Sequence, residues 1–133
     1  MPLLFFSGQQ LIVLIKKNLL LDLLEAAKNT FPDEFFALLA VKEKNGTIEE
    51  FVVVPAVYGK AHTLFRSDLI PFDKKIVGSM HSHPSPNAFP SEADLQAFRR
   101  LGQIHLIVAA PFNLGSIRVF DGKGKRTQLT VVD

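Results

Sequence analysis

Two imidazoles and a carboxylate lie close together in the stretch His81-Ser82-His83-Pro84-Ser85-Pro86-Asn87-Ala88-Phe89-Pro90-Ser91-Glu92-Ala93-Asp94. Residues i and i+2 of an extended strand point to one face. Val77-Gly78-Ser79-Met80 ahead of the histidines reads as such a strand, so His81 and His83 can converge on one ion. Pro84, Pro86 and Pro90 forbid regular structure across the next residues, because proline fixes φ, lacks an N–H and restricts its predecessor. Ser91 then stands where a helix N-cap belongs, and Asp94 falls in the first helical turn. Neutral imidazole nitrogens and a carboxylate suit zinc, and three protein ligands leave a position for water, as a catalytic site requires. Each piece alone has a plainer reading. A His-x-His pair is commonly surface or core polar sequence, and Ser91-x-x-Asp94 is also a capping pattern. Together they supply the ligand number, types and separation of a site for one catalytic Zn2+.

A hydrolytic zinc site also needs a group that takes a proton from water and delivers it to the leaving amine. Glu34 is the candidate, standing where Pro32 breaks a helix and an apolar run begins. Asp33 competes for the role, and a strand-end glutamate facing water fits the pattern of Glu34 equally well.

The elements that must position these residues follow from periodicity. Leu3-Leu4-Phe5-Phe6 and Leu11-Ile12-Val13-Leu14-Ile15, separated by Ser7-Gly8-Gln9-Gln10, predict an N-terminal hairpin. Leu19, Leu20, Leu23, Leu24 and Ala27 recur at helical spacing, which predicts an amphipathic helix from an Asn18 cap to about Asn29. Glu34 to Val41 reads as a buried strand, joined through Asn45-Gly46 to a second over Ile48 to Val54. Both central positions of a type I′ turn need positive φ, which this dipeptide tolerates. Weaker strand signals cover Tyr58 to Asp68. Lys74 to His83 is the ligand-bearing strand, and Ser91 to Leu101 a helix with Leu95, Phe98 and Leu101 facing inward. Strands over Ile104 to Ala110, Ser116 to Phe120 and Gln128 to Val132 complete the chain, with Asp121-Gly122-Lys123-Gly124 turning between the last two. The expectation is an α/β (α+β) domain, a mixed, curved sheet flanked by two main helices.

At 133 residues the chain is expected to form a single domain, 1–133, with residues 1–16 as a strand or hairpin extension. With 47% hydrophobic and 21% charged residues it is a folded rather than a disordered sequence. The net charge of +2 is the small difference between 15 basic and 13 acidic residues, and no basic stripe with interleaved aromatics is present. A nucleic-acid partner is therefore not expected. Zero cysteines exclude disulfides, thiol catalysis and cysteine-ligated zinc. Lys16, Lys17 and Asp22 interrupt the apolar N-terminal region, and a span needs about 20 apolar residues. Neither a membrane anchor nor a signal peptide is expected, and the protein is read as cytoplasmic.

The set Glu34, His81-x-His83, seven residues, Ser91, two residues, Asp94 resembles the JAMM (MPN-plus) metalloprotease signature in every element. Ala26-Ala27-Lys28, Pro32-Asp33-Glu34-Phe35 and His81-Ser82-His83-Pro84-Ser85-Pro86 are similar to compact archaeal members of that family, and the resemblance runs from about Leu14. It implies the cytidine-deaminase-like JAMM fold, with His81, His83 and Asp94 as ligands of one zinc ion. It further implies Glu34 as general acid/base and Ser91 as hydrogen-bond donor to the oxyanion. The implied substrates are ubiquitin-like small modifier proteins joined through a C-terminal glycine to lysine, in archaea the small archaeal modifier proteins. Their extended tails would dock beside a strand by β-augmentation, in a groove involving Val57 to Asp68. Two other functions share the resemblance: a peptidase processing a ubiquitin-fold sulfur-carrier protein, and a non-catalytic MPN interaction scaffold. Such scaffolds typically lose the metal ligands, which this chain keeps. The extension leaves room for a homodimer. His62 reads as a bystander, and His105, in an apolar run, as a hydrogen-bonded core histidine rather than a fourth ligand. Arg99-Arg100 and Lys123, Lys125 and Arg126 could steer an acidic partner surface, though solvated helix and turn faces look the same.

Overall fold

The structure is a computed structural model that describes residues 5–7, 10–42, 46–53, 56–57, 64–65 and 75–133. A short antiparallel hairpin, β1 (Phe5–Ser7) and β2 (Gln10–Ile12), opens the chain. The second apolar run does not continue as one strand. It divides at Val13, which is buried and accepts a hydrogen bond from the Thr130 N–H at 2.8 Å. β3 (Leu14–Lys16) beyond it belongs to the main sheet, so of the described N-terminal strands the hairpin alone lies outside that sheet.

Helix α1 (Lys17–Thr30) buries Leu19, Leu20, Leu23, Leu24 and Ala27 on one stripe, as the 3.6-residue spacing requires. Asn18 is not its cap. β3 runs straight into the helix with Lys16 at the N-cap, no side chain caps it, and Asn18 lies inside the first turn. Packing of the leucine stripe holds this start in place of a cap, as is general for helices in folded domains.

The main sheet has seven strands in the order β10-β9-β8-β4-β5-β3-β11. Its centre is β4 (Phe36–Val41), every residue of which is buried. β4 pairs antiparallel with β5 (Thr47–Val53) across the predicted turn, where Gly46 has φ 74°. On its other side it pairs antiparallel with β8 (Lys75–His83). β8 continues through α2 (Glu92–Leu101) into β9 (Ile104–Ala109), which lies parallel to β8. β10 (Ile117–Asp121) returns antiparallel to β9 after a short 3-10 turn at Leu114–Ser116. The chain then turns at Asp121–Gly124, with Gly124 N–H donating to the Asp121 carbonyl at 3.0 Å. It crosses to the far edge, where β11 (Thr130–Val132) pairs parallel with β3. A separate pair, β6 (Ala56–Val57) and β7 (Leu64–Phe65), is all that is described of the region between β5 and β8. His62 and most of the expected tail-docking segment lie outside the described residues.

Both faces of the sheet are covered, which explains why β4 and β9 read as continuous apolar runs rather than alternating ones. Leu19, Leu20, Leu23 and Leu24 pack with Ala37, Leu39, Leu106 and Val108 in the larger core. The intervening residues face α2: Phe36 and Leu38 pack with Leu101, and Ile107 with Phe98 and Phe120. Of the three α2 residues expected inward, Phe98 and Leu101 are buried, while Leu95 is half-buried against the Phe98 cluster. Among the described residues no helix is long and apolar enough to cross a membrane.

Candidate metal centre

The carboxyl end of β8 and the N-terminus of α2 meet at one end of the sheet, the position where open α/β sheets place their ligands. His81 and His83 project there from the same face of β8, and Asp94 reaches them from the first turn of α2. His81 Nε2 lies 3.1 Å from Asp94 Oδ1, and His83 Nε2 lies 3.2 Å from Asp94 Oδ2. The two Nε2 atoms are 3.2 Å apart. A tetrahedron whose corners sit about 2.0–2.1 Å from a central zinc has edges of about 3.3 Å. The separation of the two Nε2 atoms matches such an edge, and each Nε2 lies a comparable distance from a different oxygen of Asp94. The three residues offer ligand atoms that all lie within 4.8 Å of one another.

The hydrogen-bonding pattern fits a cation as well. His83 Nδ1 lies 2.8 Å from the Asn87 carbonyl oxygen, which can only accept, so Nδ1 carries the proton and the neutral ring turns a bare Nε2 toward the carboxylate. Acceptors facing one another at this range are stable only with positive charge among them. Without a metal that charge is a proton. Although burial works against it, the hydrogen bonds to Asp94 and to Asn87, with the charges of Asp94 and Glu34, raise the His83 pKa above its ordinary 6.5. Burial also opposes ionisation of Asp94. Hydrogen bonds from His81 and His83, the charge of His81 and the Ser91 N–H outweigh it and hold this carboxyl well below the usual carboxylate range.

Ser91 is the N-cap of α2 and forms a reciprocal capping box with Asp94. Asp94 N–H donates to Ser91 Oγ at 3.1 Å, and Ser91 N–H donates to Asp94 Oδ2 at 2.7 Å. Ser91 Oγ is an acceptor in that pair, so its own proton stays available to a further acceptor. Glu34, half-buried in the turn before β4, lines the same cleft of about 240 Å³ as Ser79, His81, His83, Ser91 and Asp94. Asp33 is exposed and does not line it, so the geometry separates the two carboxylates that spacing alone left in competition.

His105 is outside the ligand set. It is fully buried, its Nδ1 lies 2.7 Å from Ser79 Oγ, and its Nε2 lies 3.0 Å from the Gly102 carbonyl oxygen. Nε2 therefore holds the proton and Nδ1 accepts from Ser79. Its ring stacks on Phe98 at 4.2 Å, and Phe98 in turn lies 6.2 Å from the His81 ring. The Asn87 carbonyl that orients His83 is carried by the backbone, so no residue type announces it in the sequence. Ser79, on the His81 face of β8, could have been found from the i, i+2 register.

Fold and site together define a domain with a zinc site open to a cleft, and its relatives make it a zinc-dependent metalloprotease. The family described as prokaryotic homologs of the JAB domain matches residues 16–121. A probable metalloprotease of Haloferax volcanii is 33% identical over 119 residues, covering 83% of this chain and 73% of that protein. The solved structure described as "JAMM: a metalloprotease-like zinc site in the proteasome and signalosome" is 35% identical with a TM-score of 0.72, covering 92% of this chain and 99% of that one. A JAB1/MPN domain protein from Archaeoglobus fulgidus is 39% identical with a TM-score of 0.73, covering 90% and 98%. The chain belongs to the JAMM family.

Proposed function

We propose that this protein is a zinc isopeptidase that hydrolyses the bond between the C-terminal glycine of a ubiquitin-like modifier, of the small archaeal modifier type, and a substrate lysine. The observation that carries the reading is the convergence of Glu34 and Ser91 on the His81, His83 and Asp94 triangle in one cleft. Bound zinc supplies Lewis-acid polarisation of the scissile carbonyl and lowers the pKa of a water to about 7. His81, His83 and Asp94 hold that ion. Glu34 takes the proton of the attacking water and delivers it to the departing lysine amine. The Ser91 hydroxyl donates a hydrogen bond to the carbonyl oxygen as negative charge develops there, an interaction that grows toward the transition state. Pro84, Ala97 and Phe98 line the cleft beside these groups.

The test is incubation of the purified protein with a lysine-linked modifier conjugate, with and without a chelator, read by mass spectrometry. Cleavage at the modifier's terminal glycine that the chelator stops is expected. Glu34→Gln is expected to abolish cleavage with zinc retained, and His83→Ala to abolish it with zinc lost. Wild-type turnover in either purified variant would sink the reading. Processing of a sulfur-carrier terminus, with every lysine conjugate left intact, would move the assignment to that substrate.

A further inference from the structure

Glu34 is not part of a regular strand, and what holds the chain beside it is unusual. The ladder between β4 and β8 ends at the Phe36–His81 pair, so Phe35 and Ser82 come next to each other just beyond it. Ser82 N–H donates to the Phe35 carbonyl at 2.9 Å, as a ladder would continue. The reciprocal bond is different. Phe35 N–H donates to the side-chain Oγ of Ser82, at 2.8 Å. Ser82 Oγ thus stands where a strand partner's carbonyl would otherwise receive that N–H.

Ser82 lies between the two histidines and, by strand alternation, on the opposite face of β8. It is 1% exposed, and Phe35 is fixed on the same side, buried and packed edge-on against Phe51 at 6.3 Å. The residue joining His81 to His83 therefore grips, with both backbone and side chain, the residue that follows Glu34. We propose that Ser82 is a positioning residue. Its hydroxyl fixes Phe35 and thereby sets where the Glu34 carboxylate stands relative to His81 and His83. The inference rests on the reading of Glu34 as the proton carrier.

A proton carrier misplaced by about 1 Å can cost about 100-fold in rate. Ser82→Thr keeps a hydroxyl on Cβ, while Ser82→Val has nearly the same shape without an acceptor, so comparing the two separates hydrogen bonding from volume. The experiment measures kcat, KM and zinc affinity by chelator competition for Ser82→Ala, Ser82→Val and Ser82→Thr, with Glu34→Gln alongside. The expected result is a kcat loss of roughly 10- to 100-fold in the Ala and Val variants, with KM and zinc affinity within about twofold and kcat near wild type in the Thr variant. Should Ser82→Ala fail to fold, the Val and Thr pair decides the question, because both suit a buried strand. Equal kcat in Val and Thr variants overturns the proposal, as does a loss of zinc affinity large enough to account for the lost turnover. An inactive Glu34→Gln with a fully active Ser82→Val defeats this inference alone. A fully active Glu34→Gln defeats the mechanism and the inference together.

Discussion

Acid should destabilise this domain through a residue that takes no part in binding the metal. Burial, opposed by the hydrogen bond to the Gly102 carbonyl, pushes the His105 pKa from 6.5 down to about 4. Above about pH 6.5 the imidazole is neutral in folded and unfolded chains alike, and its stabilisation is complete. As pH falls toward 4 the unfolded chain takes up a proton that the folded one refuses, so stability is lost across that window and no further below it. At about 1.4 kcal/mol per unit of pKa the full loss is about 3 kcal/mol, of which about 2 kcal/mol falls between about pH 8 and about pH 5. For a domain of this size that is roughly 8 °C in Tm. The assay is thermal unfolding of wild type and His105→Gln across this range, both with chelator present. Other titrating groups are then common to the two proteins, so the difference between the curves reports on His105, including the repulsion it feels from His81. Glutamine retains a donor and an acceptor and cannot titrate, so its curve should be flatter by about that amount, whatever its absolute stability. Parallel curves would refute the argument that His105 is held neutral.

Ser91→Ala should cost about 1 kcal/mol through loss of the α2 cap. Independently, it should lower kcat by about 100- to 1,000-fold, as removal of an oxyanion donor does. Denaturation and steady-state kinetics read these separately, and a loss of stability without a loss of turnover would leave Ser91 as a cap only. Zinc at about 100 times its Kd should stabilise the wild-type fold by about 2.7 kcal/mol. The same addition should leave the Tm of His83→Ala unmoved, because two of the three donor atoms do not close the triangle.

What was legible in the sequence is what depends on short separations. The helix stripe of α1 comes from spacing of three and four, the convergence of His81 and His83 from spacing of two, and the positive φ at Gly46 from one dipeptide. Long-range pairing was not legible. Nothing local says that β8 lies beside β4, or that β11 crosses the whole sheet to join β3 rather than staying beside β10. The division of the N-terminal run at Val13 is of this kind, since its cause is a hydrogen bond from Thr130. So is the start of β4. Glu34 and Phe35 read as part of the strand with the apolar run they adjoin, yet they lie ahead of it because the Phe35 N–H goes to a side chain forty-seven residues away. Spacing names Glu34 and leaves Asp33 in competition with it, because that choice depends on the distant anchor; the family resemblance is what singles out Glu34.

The two readings of Ser91-x-x-Asp94, as helix cap and as part of a metal site, are not alternatives. Oδ2 of Asp94 receives the Ser91 N–H and also faces His83, while Oδ1 faces His81. The bond that starts α2 therefore fixes the rotation of the carboxylate that closes the donor triangle. β8 sets the histidines by its pleat, and α2 is seated by Phe98 and Leu101 in the core beside them. Each donor thus stands on a regular element whose burial is independent of the ion, which is how a site comes to be preorganised rather than assembled on binding. Glu34 is the exception. It stands on an irregular turn, so its position depends on tethers such as the one from Ser82 rather than on a ladder. Substitutions around that turn should accordingly affect proton transfer while sparing metal affinity, whereas replacing Asp94 should cost both the helix cap and the metal.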